Sequence, residues 1–124
     1  MSNDFEFDTI REALRVERED TVALIDQMAS RLDAVIEATA DSSSDDEHDP
    51  EGSTLAVERG HLVAQLERSR VRLDELDAAL IRAERGDYGI CEICGERISA
   101  ARLEALPAAR LCITCATRYP TRRW

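Results

Sequence analysis

The chain has 124 residues, enough for one domain, or for one module with an extension. Its formal net charge is -10 and only 4% of its residues are aromatic, so an elongated helical protein is easier to stabilise than a compact globule. The acidity argues against non-specific binding to DNA, whose phosphates would repel the chain.

The compartment can be predicted from what the sequence lacks. Residues 1–20 are rich in charge and contain no apolar segment of the kind found in secretory signals. No stretch approaches the roughly 20 apolar residues that cross a bilayer. We therefore expect a cytoplasmic protein that does not enter a membrane, in a compartment where thiols stay reduced.

The first predicted element is a helix over residues 8–40. Apolar residues recur there at steps of four and three, the spacing of one helix face. They are Ile10, Leu14, Ile25, Met28, Leu32 and Val35, and Thr21 lies on the same face. The stretch has no Gly or Pro and is rich in good helix formers. Asp8 or Thr9 is the predicted N-cap.

The second predicted helix covers residues 53–85 and has heptad spacing of the coiled-coil type. Its apolar seam consists of Leu55, Leu62, Leu66, Leu73, Leu76, Leu80 and Ala83. Ser69 interrupts this seam. Ser53 or Thr54 is the predicted N-cap, and Gly86 is the predicted C-cap.

An acidic, turn-forming segment, residues 41–52, separates the two helices. Each helix has about 33 residues and would be roughly 50 Å long. Equal lengths favour an antiparallel helical hairpin over residues 1–86, with the acidic segment at its tip. The alternative is a coiled-coil dimer that associates through the same seams.

Four cysteines follow the second helix, as Cys91-x-x-Cys94 and Cys112-x-x-Cys115. Two such pairs can close on one tetrahedral metal ion, and zinc is the usual occupant. Four protein ligands leave no open position for a substrate, which predicts a structural zinc. We expect a small four-cysteine zinc-finger module over residues 87–119 that ends in a short helix, and then a tail, 120–124.

The residues around these cysteines resemble the DksA/TraR family of bacterial transcription factors. The resemblance is carried by the run Gly86-Asp-Tyr-Gly-Ile-Cys-Glu-Ile-Cys-Gly95, by Ile98, by Arg102-Leu-Glu-Ala-Leu-Pro107 and by Leu111-Cys-Ile-Thr-Cys115. It covers about residues 86–119. The predicted hairpin agrees with the family in architecture, so the expected fold is mainly α.

The resemblance implies a mode of action. Family members bind RNA polymerase directly and recognise no DNA sequence. Their hairpin tip enters the secondary channel, and their zinc module contacts the outer rim. The implied tip residues here are Asp45, Asp46, Asp49 and Glu51. The rim candidates are Arg97, Arg102, Arg110 and Arg118, from the basic end of the chain.

The tip is where the sequence departs from the family pattern. Well-known members carry Asp-x-x-Asp-x-Ala, whereas this chain has Asp46-x-x-Asp49-x-Glu51. Some members act together with the alarmone ppGpp, but the residues that contact it cannot be carried over to this sequence.

Three functional hypotheses follow. The leading one is a monomeric regulator of transcription that binds RNA polymerase and is not an enzyme, because no nucleophile has a nearby base and no Gly-rich loop cradles a phosphate. The second is a zinc module that contacts nucleic acid through its basic C-terminal end. The third is a structural coiled-coil dimer stapled by zinc.

Overall fold

A computed structural model of the protein describes the backbone of residues 2–41 and 50–120, with side chains for 8–40 and 54–120. Four helices follow in chain order: α1 (Ser2–Asp41), α2 (Pro50–Arg85), α3 (Ala100–Ala105) and α4 (Ile113–Arg118). In these ranges the only isolated pairing of extended backbone joins Ile90 and Arg97. The prediction of a mainly α protein is confirmed. None of the described helices is long and apolar enough to span a bilayer.

The chain divides into two compact units. Unit 1 consists of Met1–Glu19 and Asp74–Trp124, and unit 2 of Asp20–Leu73. Both long helices contribute to both units, so each unit contains a segment of α1 packed against a segment of α2. These paired segments form the predicted helical hairpin.

Both long helices begin earlier than predicted. Because α1 starts at Ser2 and α2 at Pro50, the four predicted N-caps lie inside helices and those predictions are wrong. They are Asp8, Thr9, Ser53 and Thr54. Proline suits the first turn of a helix, because its φ is already helical and no hydrogen bond is needed from its nitrogen there.

The core of unit 2 follows the predicted heptads. Its buried residues come from both helices and are Met28, Val35, Leu62 and Leu66. An ion pair between Arg31 and Glu58 joins the helices beside this core. Ser69, where the seam is interrupted, is half-buried beside a groove lined by Leu24 and Met28.

Unit 1 combines the hairpin with part of the cysteine-containing segment. Leu14 of α1 packs in one cluster with residues of α2 and of the following chain, namely Leu76, Ala79, Ala83, Tyr88 and Ala108. An ion pair between Arg18 and Asp77 joins the two helices here. The hairpin and the segment after α2 therefore share a hydrophobic core.

Gly86 ends α2, as predicted. Its φ is 85°, in the left-handed region. The N–H of Gly86 donates to the carbonyl oxygen of Ala83 at 3.4 Å, and the N–H of Asp87 donates to that of Arg82 at 3.0 Å. This pair of bonds is the Schellman motif, which satisfies carbonyl groups left open at a helix end.

We expect Gly86→Ala to lower the free energy of unfolding by about 1 kcal/mol, because a Cβ at positive φ is strained. Gly60→Ala is the matched control. Gly60 lies inside α2, and no atom lies within 4 Å of the position its Cβ would take. That change should stabilise by roughly 0.5–1 kcal/mol through helix propensity. Chemical denaturation of both variants measures the difference, and equal effects would contradict the assignment.

Candidate metal centre

The first cysteine pair lies on a tight hairpin after α2. The N–H of Cys91 donates to the carbonyl oxygen of Glu96 at 2.8 Å, and the N–H of Ile98 to that of Gly89 at 2.8 Å. Gly95 makes the turn with a φ of 75°, and its N–H donates to the carbonyl oxygen of Cys91 at 3.0 Å. The turn holds both cysteines on one side.

The second pair opens the predicted short helix. Cys112 is the N-cap of α4, and its sulfur accepts a hydrogen bond from the N–H of Cys115 at 3.4 Å. The cap thus places two ligands one turn apart. Thiolate sulfur is well suited to this position, because the first N–H groups of a helix lack partners in the helix.

The short helix α3, which was not predicted from the sequence, connects the two pairs. Ser99 is the N-cap of α3 and accepts a hydrogen bond from the N–H of Arg102 at 3.2 Å. The Arg102 side chain reaches across to donate to the carbonyl oxygen of Leu111 at 2.9 Å. This hydrogen bond fixes the backbone just before the second cysteine pair. The run Ser99-Ala-Ala-Arg102 could have predicted this helix, since serine is a preferred N-cap and alanine is the best helix former.

The four cysteines converge. One sulfur from each of Cys91, Cys94, Cys112 and Cys115 lies within 4.8 Å of all the others. The sulfur atoms of Cys94 and Cys112 are 3.8 Å apart. Tetrahedral zinc with Zn–S bonds of about 2.3 Å requires sulfur atoms about 3.8 Å apart. The donor set and this spacing fit one Zn²⁺, and four ligands make the site structural.

The site has a buried edge and an exposed edge. Cys91 and Cys115 are buried in a cluster with Ile98 and Leu111. Cys112 is half-buried and Cys94 is exposed. The apolar core of this small module is thus built around two of its own metal ligands, so metal binding and local folding depend on each other.

The ligand thiols differ in how readily they lose a proton. Burial alone would raise the pKa of the Cys91 thiol, but backbone hydrogen bonds from Cys94, Cys112 and Ile93 lower it to about 6. Burial and hydrogen bonds with the other three thiols raise the pKa of Cys115 to about 12. Zinc must therefore displace protons from the site to bind all four sulfur atoms as thiolates.

The cysteine-containing segment is braced against the end of α2. The buried Arg82 side chain donates to the carbonyl oxygen of Ala108 at 3.3 Å. The hydroxyl of Tyr88 donates to the carbonyl oxygen of Pro107 at 2.6 Å. Burial lowers the pKa of Arg82, and this arginine is the one buried charged residue among those whose burial the structure describes. These bonds fix the loop before the second cysteine pair.

The four rim candidates occupy two kinds of position. Arg102 is half-buried and engaged with Leu111, and Arg110 forms an ion pair with Glu92 at 4.0 Å. Arg97 and Arg118 are exposed, Arg118 in the last turn of α4. Of the tip candidates, Asp45, Asp46 and Asp49 lie outside the described residues. The backbone of Glu51 lies in the first turn of α2.

Residues 86–120 match the model of the prokaryotic dksA/traR C4-type zinc finger. The fold is similar to the structure of transcription factor DksA2 from Pseudomonas aeruginosa, with a TM-score of 0.75 and 30% identity. That match covers 94% of this chain and 84% of the other. The chain belongs to the DksA/TraR family. Its cysteine module is a C4 zinc finger that holds one structural zinc, which confirms the predicted cofactor.

Two curated relatives match part of this chain. Both are named RNA polymerase-binding transcription factor DksA and are 43% identical over 51 residues. The Haemophilus influenzae match covers 41% of this chain and 35% of the relative, and the Escherichia coli K12 match 41% and 34%. The matched segment spans about a third of each relative.

Proposed function

We propose that this DksA/TraR protein binds RNA polymerase directly and regulates the initiation of transcription. The observation that carries the proposal is the match to DksA2, because it extends over 94% of this chain and includes the hairpin as well as the zinc finger. The names of the curated relatives support the choice of partner. The protein would act in the cytoplasm as a monomer, without recognising a DNA sequence.

The acidic tip of the hairpin is the proposed effector. Asp45, Asp46 and Asp49 fall between the end of α1 and the start of α2, and Glu51 falls in the first turn of α2. Six acidic residues and no arginine occupy positions 41–51. Such a tip suits entry into the secondary channel if that channel carries positive charge. Cooperation with ppGpp is compatible with a tip in the secondary channel, but no residue of this chain can be matched to a ppGpp contact.

The zinc finger is the proposed contact with the polymerase surface. Arg97 and Arg118 are exposed and form no ion pair with any residue that the structure describes. Arg102 and Arg110 have structural contacts of their own, so we assign the rim contact mainly to the first two. Arg97 and Arg118 would then hold the protein on the polymerase while the tip acts.

The test combines binding and transcription. Zinc-loaded protein is titrated against core RNA polymerase, and initiation is measured in vitro for wild type and for a triple variant, Asp46→Ala with Asp49→Ala and Glu51→Ala. We expect micromolar or tighter binding in both cases, and an effect on initiation that falls by about tenfold or more in the variant. Glu37→Ala, which removes an exposed acid of α1, should change neither result.

Several outcomes would contradict the proposal. Absence of binding at micromolar concentration would refute the polymerase partner. If the triple variant affected initiation as strongly as wild type does, the tip would be a linker and not an effector. Affinity for DNA or RNA alone, falling steeply with salt, would favour the nucleic-acid hypothesis.

A further inference from the structure

Unit 2 exposes an apolar surface that the hairpin core does not use. Val57 is 57% exposed, and Val63 and Ile36 are each 39% exposed. Ala56 and Gly60 beside them on α2 are exposed as well. We call these five residues the Val63 flank. Contacts among the described residues leave the three large apolar side chains of the flank partly exposed to solvent.

The ion pair of unit 2 shows that Ile36 and Val63 lie on one side of the hairpin. On α1, Arg31 and Ile36 lie on opposite sides of the seam residues Leu32 and Val35, as their heptad positions require. On α2, Glu58 and Val63 likewise lie on opposite sides of the seam. Because Arg31 and Glu58 meet on one side, Ile36 and Val63 share the other.

The α2 part of the flank is broad enough to receive a helix. Ala56, Gly60 and Val63 follow one another at steps of four and three, so they adjoin on the helix surface. Val57 is three residues before Gly60. Nothing lies within 4 Å of a Cβ built on Gly60, so the backbone there is open to close approach. Small residues between larger apolar ones give a shallow groove for a partner helix.

Unpaired acids border the flank on both helices. Asp33 precedes Ile36 by three residues and adjoins it on α1. Asp26, seven residues before Asp33, lies two turns further along the same face of α1. Glu67 follows Val63 by four residues on α2. All three are exposed, and none forms an ion pair with another residue that the structure describes. The exposed Arg59, four residues before Val63, adjoins the flank as well. With three acids and one arginine, the rim of the apolar strip has a net negative charge.

We propose that the Val63 flank is a docking surface for an amphipathic helix with apolar residues on one face and basic residues beside them. Apolar contact would come from Val57, Val63 and Ile36, and the acids would attract the basic residues. A second copy of this chain is the poorer occupant. It would bring the same acids together, and each copy already carries a net charge of -10.

The assignment of this helix to RNA polymerase rests on the function proposed above, but the surface itself can be tested without polymerase. The first probe is a labelled synthetic helix of about 20 residues with leucine at its core-facing positions and arginine beside them. A peptide with glutamate in place of arginine is its control. The second probe is core RNA polymerase. Fluorescence anisotropy measures both affinities.

The test variant is Val57→Asp with Val63→Asp. We expect its affinity for both probes to fall by about tenfold or more, because charge replaces buried apolar contact. Leu24→Asp is the matched control. Leu24 is 47% exposed, and it lies on the opposite side of the hairpin, seven residues before Arg31. It should change either affinity by less than about twofold. Circular dichroism verifies that both variants keep their helices.

The outcomes separate the two proposals. If wild type binds the arginine peptide and not polymerase, the flank stands and the polymerase function fails. If it binds polymerase and both variants bind equally well, the function stands and the flank fails. Failure of the arginine peptide to bind, or equal binding of the glutamate peptide, would overturn the proposed partner chemistry. The partner chemistry would also be overturned if wild type formed a dimer in sedimentation experiments and Val63→Asp abolished that dimer. The occupant of the flank would then be a second copy of the chain.

Discussion

Removing zinc should unfold residues 86–120 while residues 20–73 keep their helical structure. The module's own core has four buried residues, and two of them are the ligands Cys91 and Cys115. Without the metal, the remaining apolar contacts are too few to hold such a short segment. Zinc binding contributes on the order of 10 kcal/mol in small zinc modules, so its loss exceeds what this core can replace.

Hydrogen exchange with and without a chelator measures this effect segment by segment. Amides of the zinc finger should lose protection, whereas those of unit 2 serve as an internal reference. Cys115→Ala should reproduce the chelator's effect in the presence of zinc. Thr114→Ala, an exposed change in the same turn of α4, should have little influence. Persistence of protection in the chelated zinc finger would contradict the role of the metal.

Leu14→Ala should destabilise the protein by about 3–5 kcal/mol. The Leu14 side chain is completely buried in the cluster that includes Tyr88 and Ala108. Its truncation leaves a cavity where α1 meets both α2 and the zinc finger. The expected cost combines lost apolar contact with the unfilled cavity.

Leu24→Ala is the matched comparison on the same helix. Leu24 is 47% exposed, so its truncation should cost less than about 1 kcal/mol. Denaturant unfolding of the two variants at constant zinc gives the difference. Similar costs would mean that the packing of α1 against unit 1 contributes little to stability.

The features that depend on periodic or local chemistry could be predicted from the sequence. The heptads located the seam, and Met28, Val35, Leu62 and Leu66 are buried as expected. The cysteine spacing predicted a closed metal site, because two Cys-x-x-Cys turns place their sulfur atoms for one ion. Gly86 marked the end of α2, because few other residues adopt its backbone conformation.

The features that depend on tertiary context could not be predicted in the same way. Arg82 lies outside the apolar seam and looks like a surface residue, yet the loop at Ala108 buries it. Arg102 is a rim candidate in the sequence, and its hydrogen bond to the carbonyl oxygen of Leu111 depends on the fold of the loop before the second cysteine pair. The start of α2 was also predicted too late. Proline usually interrupts a helix, and the sequence alone does not show that Pro50 lies in the first turn, where proline is tolerated.

The composition of unit 1 has a consequence for the order in which the protein folds during synthesis. Residues 20–73 are contiguous, so unit 2 can form as soon as that stretch has left the ribosome. The part of α1 that belongs to unit 1 leaves earlier but must wait for residues 74–124, which contain its remaining packing partners. Nascent chains therefore expose Ile10 and Leu14 until residues 76–108, which supply the other members of their cluster, have left the ribosome. Only then can this long-range contact close.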